Sequence, residues 1–301
     1  MRTPSPLLIA AFAILCGCVI DALIKEIATH ASVLMLTSWR FIFGAMFALT
    51  LYTAAKKPMP SLRAIRFHTM RGAVQVTAAL SFFWSLTQLG LTEATVIGFT
   101  AALMIAPIAR IILGEAFSKL SIIAILVGFA GAVFTISTET VGAPEGTNRT
   151  LGAAAAFLAA FAYALTIVLM RLRSREEDTL TIVMFSNVMP AIILLPFLLA
   201  TEPVPPVSML PVFAMMGFFG MSVWWMFTIA YANAPAQRLA PLEYTSLIWS
   251  AALGYVFFQE IPGWRLYVGS AVIIGACLLI AFESHYANRR EARMPVSVDP
   301  D

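Results

Sequence analysis

Ten apolar stretches, each near the length needed to cross a lipid bilayer, fill this chain almost end to end. A spanning helix takes about 20 mostly apolar residues. The reading places spans at 7–24, 33–54, 72–91, 94–114, 120–137, 151–171, 180–200, 209–232, 239–258 and 264–283. With 60% hydrophobic residues and a mean hydropathy of +0.87, the chain carries more apolar surface than a water-soluble globule can hide. Closed strand barrels are the other structures that satisfy every backbone polar group in lipid. They require polar residues at alternate positions, and these runs do not alternate. The expected fold is an all-α integral membrane bundle.

The polar remainder is too small for a second domain. The longest gaps, 138–150, 201–207 and 284–301, cannot build a core of their own. This argues against a soluble catalytic domain, a large receptor or a nucleic-acid-binding module. Cytoplasmic loops are enriched in Lys and Arg. If the N-terminus is cytoplasmic and the ten spans alternate, 14 of the 19 basic residues fall inside and four (Lys25, Arg40, Arg149 and Arg265) fall outside. The remaining one, Arg110, lies within a span. Both termini are therefore expected in the cytoplasm, in a multi-pass membrane protein. The first span lacks a small-residue cleavage site leading into a soluble domain, and is read as retained rather than as a signal peptide.

Cys16, Cys18 and Cys277 lie inside spans and do not form a disulfide framework. His30, His68 and His285 are scattered near span ends, so no metal site is expected, and no cofactor. Enzyme signatures are likewise missing: there is no phosphate-binding Gly-rich loop, paired-His metal motif or Ser-His-Asp set.

The chain also repeats itself. Val96–Glu115 lies on Pro241–Glu260 without a gap, so that Phe99 meets Tyr244, Thr100 meets Thr245, and Leu113-Gly114-Glu115 meets Phe258-Gln259-Glu260. Five spans, a polar gap and five more spans imply two five-helix units, 1–138 and 151–284, joined by a linker at 139–150 and followed by a tail at 285–301. An odd number of spans per unit inverts the second relative to the first, a recurring plan in secondary transporters. Breakers and small residues occur in both halves. Pro107 interrupts the fourth span, Pro190 and Pro196 the seventh, and Pro241 opens the ninth. Gly128 and Gly131 in the fifth span and Gly269 and Gly275 in the tenth permit close helix approach.

Several residue groups now resemble one family. They are Asp21 and Lys25 in the first span, Trp39-Arg40-Phe41 opening the second, and Arg71-Gly72 before the third. Leu113-Gly114-Glu115 follows the fourth, and Ala240-Pro241-Leu242-Glu243-Tyr244 runs through to Phe258-Gln259-Glu260-Ile261-Pro262. With the ten-span duplicated plan, the chain resembles an EamA-type member of the drug/metabolite transporter superfamily over residues 7–283. It is similar to the branch containing S-adenosylmethionine and riboflavin uptake carriers. The resemblance implies a carrier without cofactor, working in membrane lipid on a small-molecule metabolite, as a monomer or a homodimer.

Charged side chains inside apolar spans are costly, about 2.5–3.5 kcal/mol each at mid-membrane, and so mark function or pairing. Asp21 stands four residues before Lys25, on one helix face, so the two either pair with each other or leave Asp21 to bind a cationic group or a proton. Arg40 either snorkels to headgroups or faces inward, holding an anionic group or neutralising Asp21. Glu243 is the second candidate for proton or cation coupling. Arg110 is read as a contact of the inner gate, and Glu115 and Glu260 as equivalent caps or gate contacts in the two halves. Gln75, Trp84 and Gln88 on the third span, Tyr163, Asn187, Tyr244 and Trp249 are expected to shape a pocket suited to a flat heterocyclic or amphipathic metabolite. Lacking an ATP-binding segment, such a carrier would run on a gradient or by exchange. The alternatives are a non-transporting scaffold or sensor, and an intramembrane enzyme.

Overall fold

A computed structural model of the chain describes residues 5–113, 119–136, 147–173, 177–233 and 245–291. Within them the secondary structure is entirely helical. The helices are α1 (Pro6–Ile27), α2 (Val33–Ala54), α3 (Leu62–Gln88), α4 (Leu91–Gly98), α5 (Thr100–Leu113), α6 (Lys119–Ile136), α7 (Arg149–Arg173), α8 (Thr179–Thr201), α9 (Leu210–Asn233), α10 (Thr245–Phe258) and α11 (Trp264–Glu291). Each expected span overlaps a helix, the fourth being built from α4 and α5 together; residues 239–244 of the ninth lie outside the described residues. Six stretches are long and apolar enough to cross a membrane: Pro6–Ile27, Val33–Ala54, Leu91–Ile112, Arg149–Met170, Thr179–Thr201 and Val207–Ala230. Shorter apolar helices join them at Ile122–Phe134, Thr245–Phe258 and Trp264–Ala276. The protein is a multi-pass membrane protein.

Local chemistry sets the helix starts. Ser32 accepts a bond from the Met35 N–H (3.0 Å), Ser61 from the Ala64 N–H (3.2 Å) and Asp178 from the Leu180 N–H (2.8 Å). Each satisfies a donor that the first helical turn leaves unpaired. The start of α3 lies ten residues before the expected 72, because Ser61 caps a basic turn that apolar periodicity does not detect.

The fourth span departs from expectation. Its break falls at Phe99, and α5 runs on through Pro107. Likewise α8 is continuous through Pro190 and Pro196. Packing on neighbouring helices holds these segments helical despite the missing N–H groups.

Several close approaches between helices depend on glycine. A Cβ on Gly217 of α9 would stand 2.7 Å from the Gly44 N and 2.9 Å from the Arg40 carbonyl of α2. Only hydrogen fits there, so α2 and α9 meet backbone to backbone. On α6, a Cβ at Gly131 would lie 2.8 Å from Val272 and 3.2 Å from the Gly269 carbonyl of α11, so these two helices also pack through small residues.

The fully buried core gathers around one end of the bundle, where Ile24, Leu36, Leu86, Leu89, Leu91, Ile97 and Phe213 are all 0% exposed. The C-termini of α1 and α3 and the N-termini of α2 and α4 meet here; it is termed the Lys25 end. The opposite, His68 end holds the start of α3 and the junction of α7 with α8.

Candidate functional site

A cavity of about 290 Å³ opens inside the bundle. Its walls come from α1 (Gly17, Ile20, Asp21), α2 (Arg40, Phe41), α3 (Gln75, Ala78, Ala79, Phe82, Phe83), α4 and α5 (Gly98, Ala101), α7 (Ala159, Ala160, Tyr163) and α9 (Val223, Trp224, Phe227). The α3 contribution follows helical geometry. From Gln75, the steps of three, four, seven and eight residues return to one face. The same rule removes Trp84, since nine residues at 100° each place it about half a turn away from Gln75.

Asp21 and Arg40 are the charged residues of this lining. They are close enough to feel each other's charge. Among the described residues, however, neither side chain forms an ion pair or hydrogen bond, with the other or with anything else. The Arg40 guanidinium lies over the Phe41 ring (4.5 Å to the centroid) and near that of Phe83 (5.7 Å), and its Nε is buried with no partner. Gly220 makes room for it, since a Cβ at that position would stand 3.0 Å from Nη2. Arg40 therefore faces inward, not out toward headgroups. The cavity is a mostly apolar chamber, walled by small and aromatic residues, holding one carboxylate and one guanidinium that are not bonded to each other.

One turn beyond Asp21, about 6 Å along α1, Lys25 closes the Lys25 end. Its ammonium lies 3.1 Å from Glu260 Oε1 and donates to the carbonyls of Leu86 (2.9 Å) and Leu89 (2.5 Å) at the end of α3. The second Glu260 oxygen accepts the Leu91 N–H (2.8 Å), which α4 leaves unpaired at its first turn. Four helices are thus tied together by one buried pair. The chain delivers Glu260 to this point through Gln259, which takes a positive φ of 54° just past the end of α10. The repeat alignment puts Gly114 opposite Gln259. Asp21 is not the partner of Lys25.

Residues 4–137 and 150–282 match the EamA-like transporter family. The chain belongs to that family. This EamA-like protein is 24% identical over 272 residues to an S-adenosylmethionine uptake transporter of Rickettsia felis, the match covering 90% of each chain. It is also 24% identical over 250 residues to a riboflavin transporter of Brucella anthropi, covering 80% of this chain and 85% of that one. A solved crystal structure overlays 94% of this chain and 98% of its own with a TM-score of 0.64 at 19% identity, a likeness of fold.

The remaining expected site residues of the EamA-like chain are dispersed. Trp84 is 37% exposed, on a shallow lateral groove between α2, α3 and α7, and Trp249 is 39% exposed on α10. Gln88 ties the end of α3 to the start of α7, accepting the Asn148 N–H at 3.0 Å. Asn187 is buried between α8 and α2, donating to the Val183 carbonyl (2.9 Å) and abutting Gly44. Arg110 is exposed on α5. Glu115, Pro241, Glu243 and Tyr244 lie outside the described residues.

Other polar clusters escape a reading based on spans. Glu93, 1% exposed, takes the Arg149 guanidinium at 2.7 Å and joins α4 to α7. At the His68 end, Arg71 donates to His68 Nδ1 (3.1 Å) and Ser186 Oγ (2.8 Å), while His68 Nε2 meets Glu177 (2.5 Å). Gln75 then donates to the Ser186 carbonyl (2.9 Å), so this network reaches the cavity wall. Its signal is Arg71 and His68, three residues apart on one helix face; apolar periodicity starts the span at 72 and so leaves both outside it.

Proposed function

We propose that the protein is a secondary active transporter that moves a small organic metabolite across the bacterial cytoplasmic membrane by alternating access. The observation that carries this reading is the central cavity. An apolar bundle holds Asp21 and Arg40 there without bonding them together, an expense that a static scaffold does not require. The names of the relatives, an S-adenosylmethionine uptake transporter and a riboflavin transporter, support the same class of work. The family and its relatives are named as transporters, which favours carriage over the enzyme alternative.

In this reading the two halves, 1–138 and 151–284, are inverted repeats joined by a linker at 139–150, with both termini and the tail at 285–301 in the cytoplasm. The pairing of helices supports it. Exchange of each span with its counterpart five spans away turns α1–α9 into α7–α3, α2–α9 into α8–α3, and α5–α7 into α10–α1, all of which pack together. The pairs α2–α8, α6–α11 and α4–α10 map onto themselves, and they pack too. The helix caps of the central pair obey the same exchange. Ser32, which caps α2, donates to Glu202 just past α8 (2.6 Å), and Asp178, which caps α8, pairs with Lys57 just past α2 (3.4 Å).

The basic residues then put the Lys25 end outside. The Lys25–Glu260 pair acts as an outer gate, shut in this state, and Glu115 takes the equivalent place in the inner gate. Asp21 and Glu243 are the candidates for proton or cation coupling. The test is uptake into proteoliposomes across a metabolite panel, with and without an imposed pH gradient. Saturable flux is expected, and a flat response across the panel refutes carriage. Glu243→Gln is expected to abolish the pH response; an unaltered response removes that carboxylate from coupling.

A further inference from the structure

We infer that the cavity selects zwitterions: molecules carrying one cationic and one anionic group beside a flat apolar body. The inference rests on the transport reading above and names the substrate class for that same site.

Three observations meet here. The first is charge count: the lining holds one acid, Asp21, and one base, Arg40; Gln75 and Tyr163 add uncharged polar groups, and the rest is aromatic, aliphatic or small. The second is the missing bond. Two opposite charges left in an apolar bundle gain most by touching, because attraction rises steeply where water is excluded. Among the described residues Asp21 and Arg40 do not touch, and Arg40 Nε is buried with no acceptor. Arg40 is held off by its own surroundings, between the Phe41 and Phe83 rings and against Gly220. Both groups line the cavity, each without a bonded partner among the described residues. The third is size. At about 30 Å³ per water in the liquid, 290 Å³ equals the bulk of roughly ten waters, room for one small molecule.

A zwitterion satisfies both walls at once. Its cationic group takes the Asp21 carboxylate and its anionic group the Arg40 fork, while a ring lies among Phe82, Phe83 and Trp224. A purely cationic ligand leaves Arg40 unanswered and repels it, and a purely anionic one does the same to Asp21. Charge-assisted bonds are the strong ones, so losing one while adding repulsion is expensive.

The experiment uses three probes with one ring system: L-tryptophan, tryptamine and indole-3-propionate. Binding to the purified full-length chain in detergent is measured by calorimetry. L-Tryptophan is expected to bind about tenfold or more tighter than either singly charged probe. Asp21→Asn should erase the preference over indole-3-propionate and Arg40→Gln the preference over tryptamine, each sparing the other. Tyr267→Phe, on the exposed face of α11, should change neither, and melting curves show which variants are folded. Equal binding of the three probes, failure of L-tryptophan to bind the folded protein, or preferences indifferent to both substitutions would overturn the inference. Flux of riboflavin and S-adenosylmethionine in liposomes, run in parallel, separates the two readings. Flux with no charge preference sinks only the zwitterion inference. No flux of any compound sinks the transport reading itself.

Discussion

A single side chain settles how Lys25 is read. Its sequence neighbour Asp21 is the obvious partner, yet the ammonium goes to Glu260, 235 residues away, and to two carbonyls at the end of α3. Removing one partner of a buried pair strands the other, at a cost of about 3–5 kcal/mol. Glu260→Gln is therefore expected to lower the melting temperature in detergent sharply, and Lys25→Met added to it to recover part of the loss; additive losses would show that the pair is not coupled. Gly220→Leu should act through Arg40, whose guanidinium would be driven off its seat, and abolish uptake while the bundle stays folded. Asp21, Arg40, Gln75 and Tyr163 were legible as cavity residues because polar groups in lipid-length apolar runs are anomalies that demand a purpose. Trp84 and Trp249 were not legible, because an aromatic side chain is equally at home against lipid. Only the helical phase separates the two cases, and Trp84 is out of phase with Gln75.

Helices were the easiest features to read, since their lengths match the bilayer and their apolar runs are unbroken. Their ends and breaks were harder. Pro107 attracted the expected break in the fourth span, yet the chain parts at Phe99, next to Gly98 in the cavity wall. Proline marks where a hydrogen bond is lost, not where the neighbours fail to hold the helix. The caps of α2 and α8 give a prediction on pH. Partial burial pushes the Asp178 carboxyl up, but hydrogen bonds from Thr181 and the Leu180 N–H, with the Lys57 ammonium, more than offset it and hold the group below its usual value. A depressed folded-state pKa gives stability that is present above the unfolded value, about 3.9, and lost as pH falls through the folded value. Asp178→Asn is thus expected to melt below the wild type near neutral pH, with the two curves converging in acid. A gap that persists to the lowest pH would locate the effect elsewhere.

For the molecule as a whole, the proposed inverted repeat predicts which side is open. The fully buried core and the Lys25–Glu260 pair fill one end, and a Cβ at Gly17 in the cavity meets nothing within 4 Å. In a background with the native cysteines replaced, Gly17→Cys should react with a membrane-impermeant thiol reagent from the cytoplasmic side. Adding Glu260→Gln should raise reaction from the outside. Labelling from the outside alone in the parent protein would reverse the orientation. The pairing of α2 with α8 bears on how such a switch moves. A strut pinned at both tips has no loose end to swing. If Ser32–Glu202 and Lys57–Asp178 hold through the cycle, this pair stays put as the axle, and the helices on either side of it must carry the whole stroke.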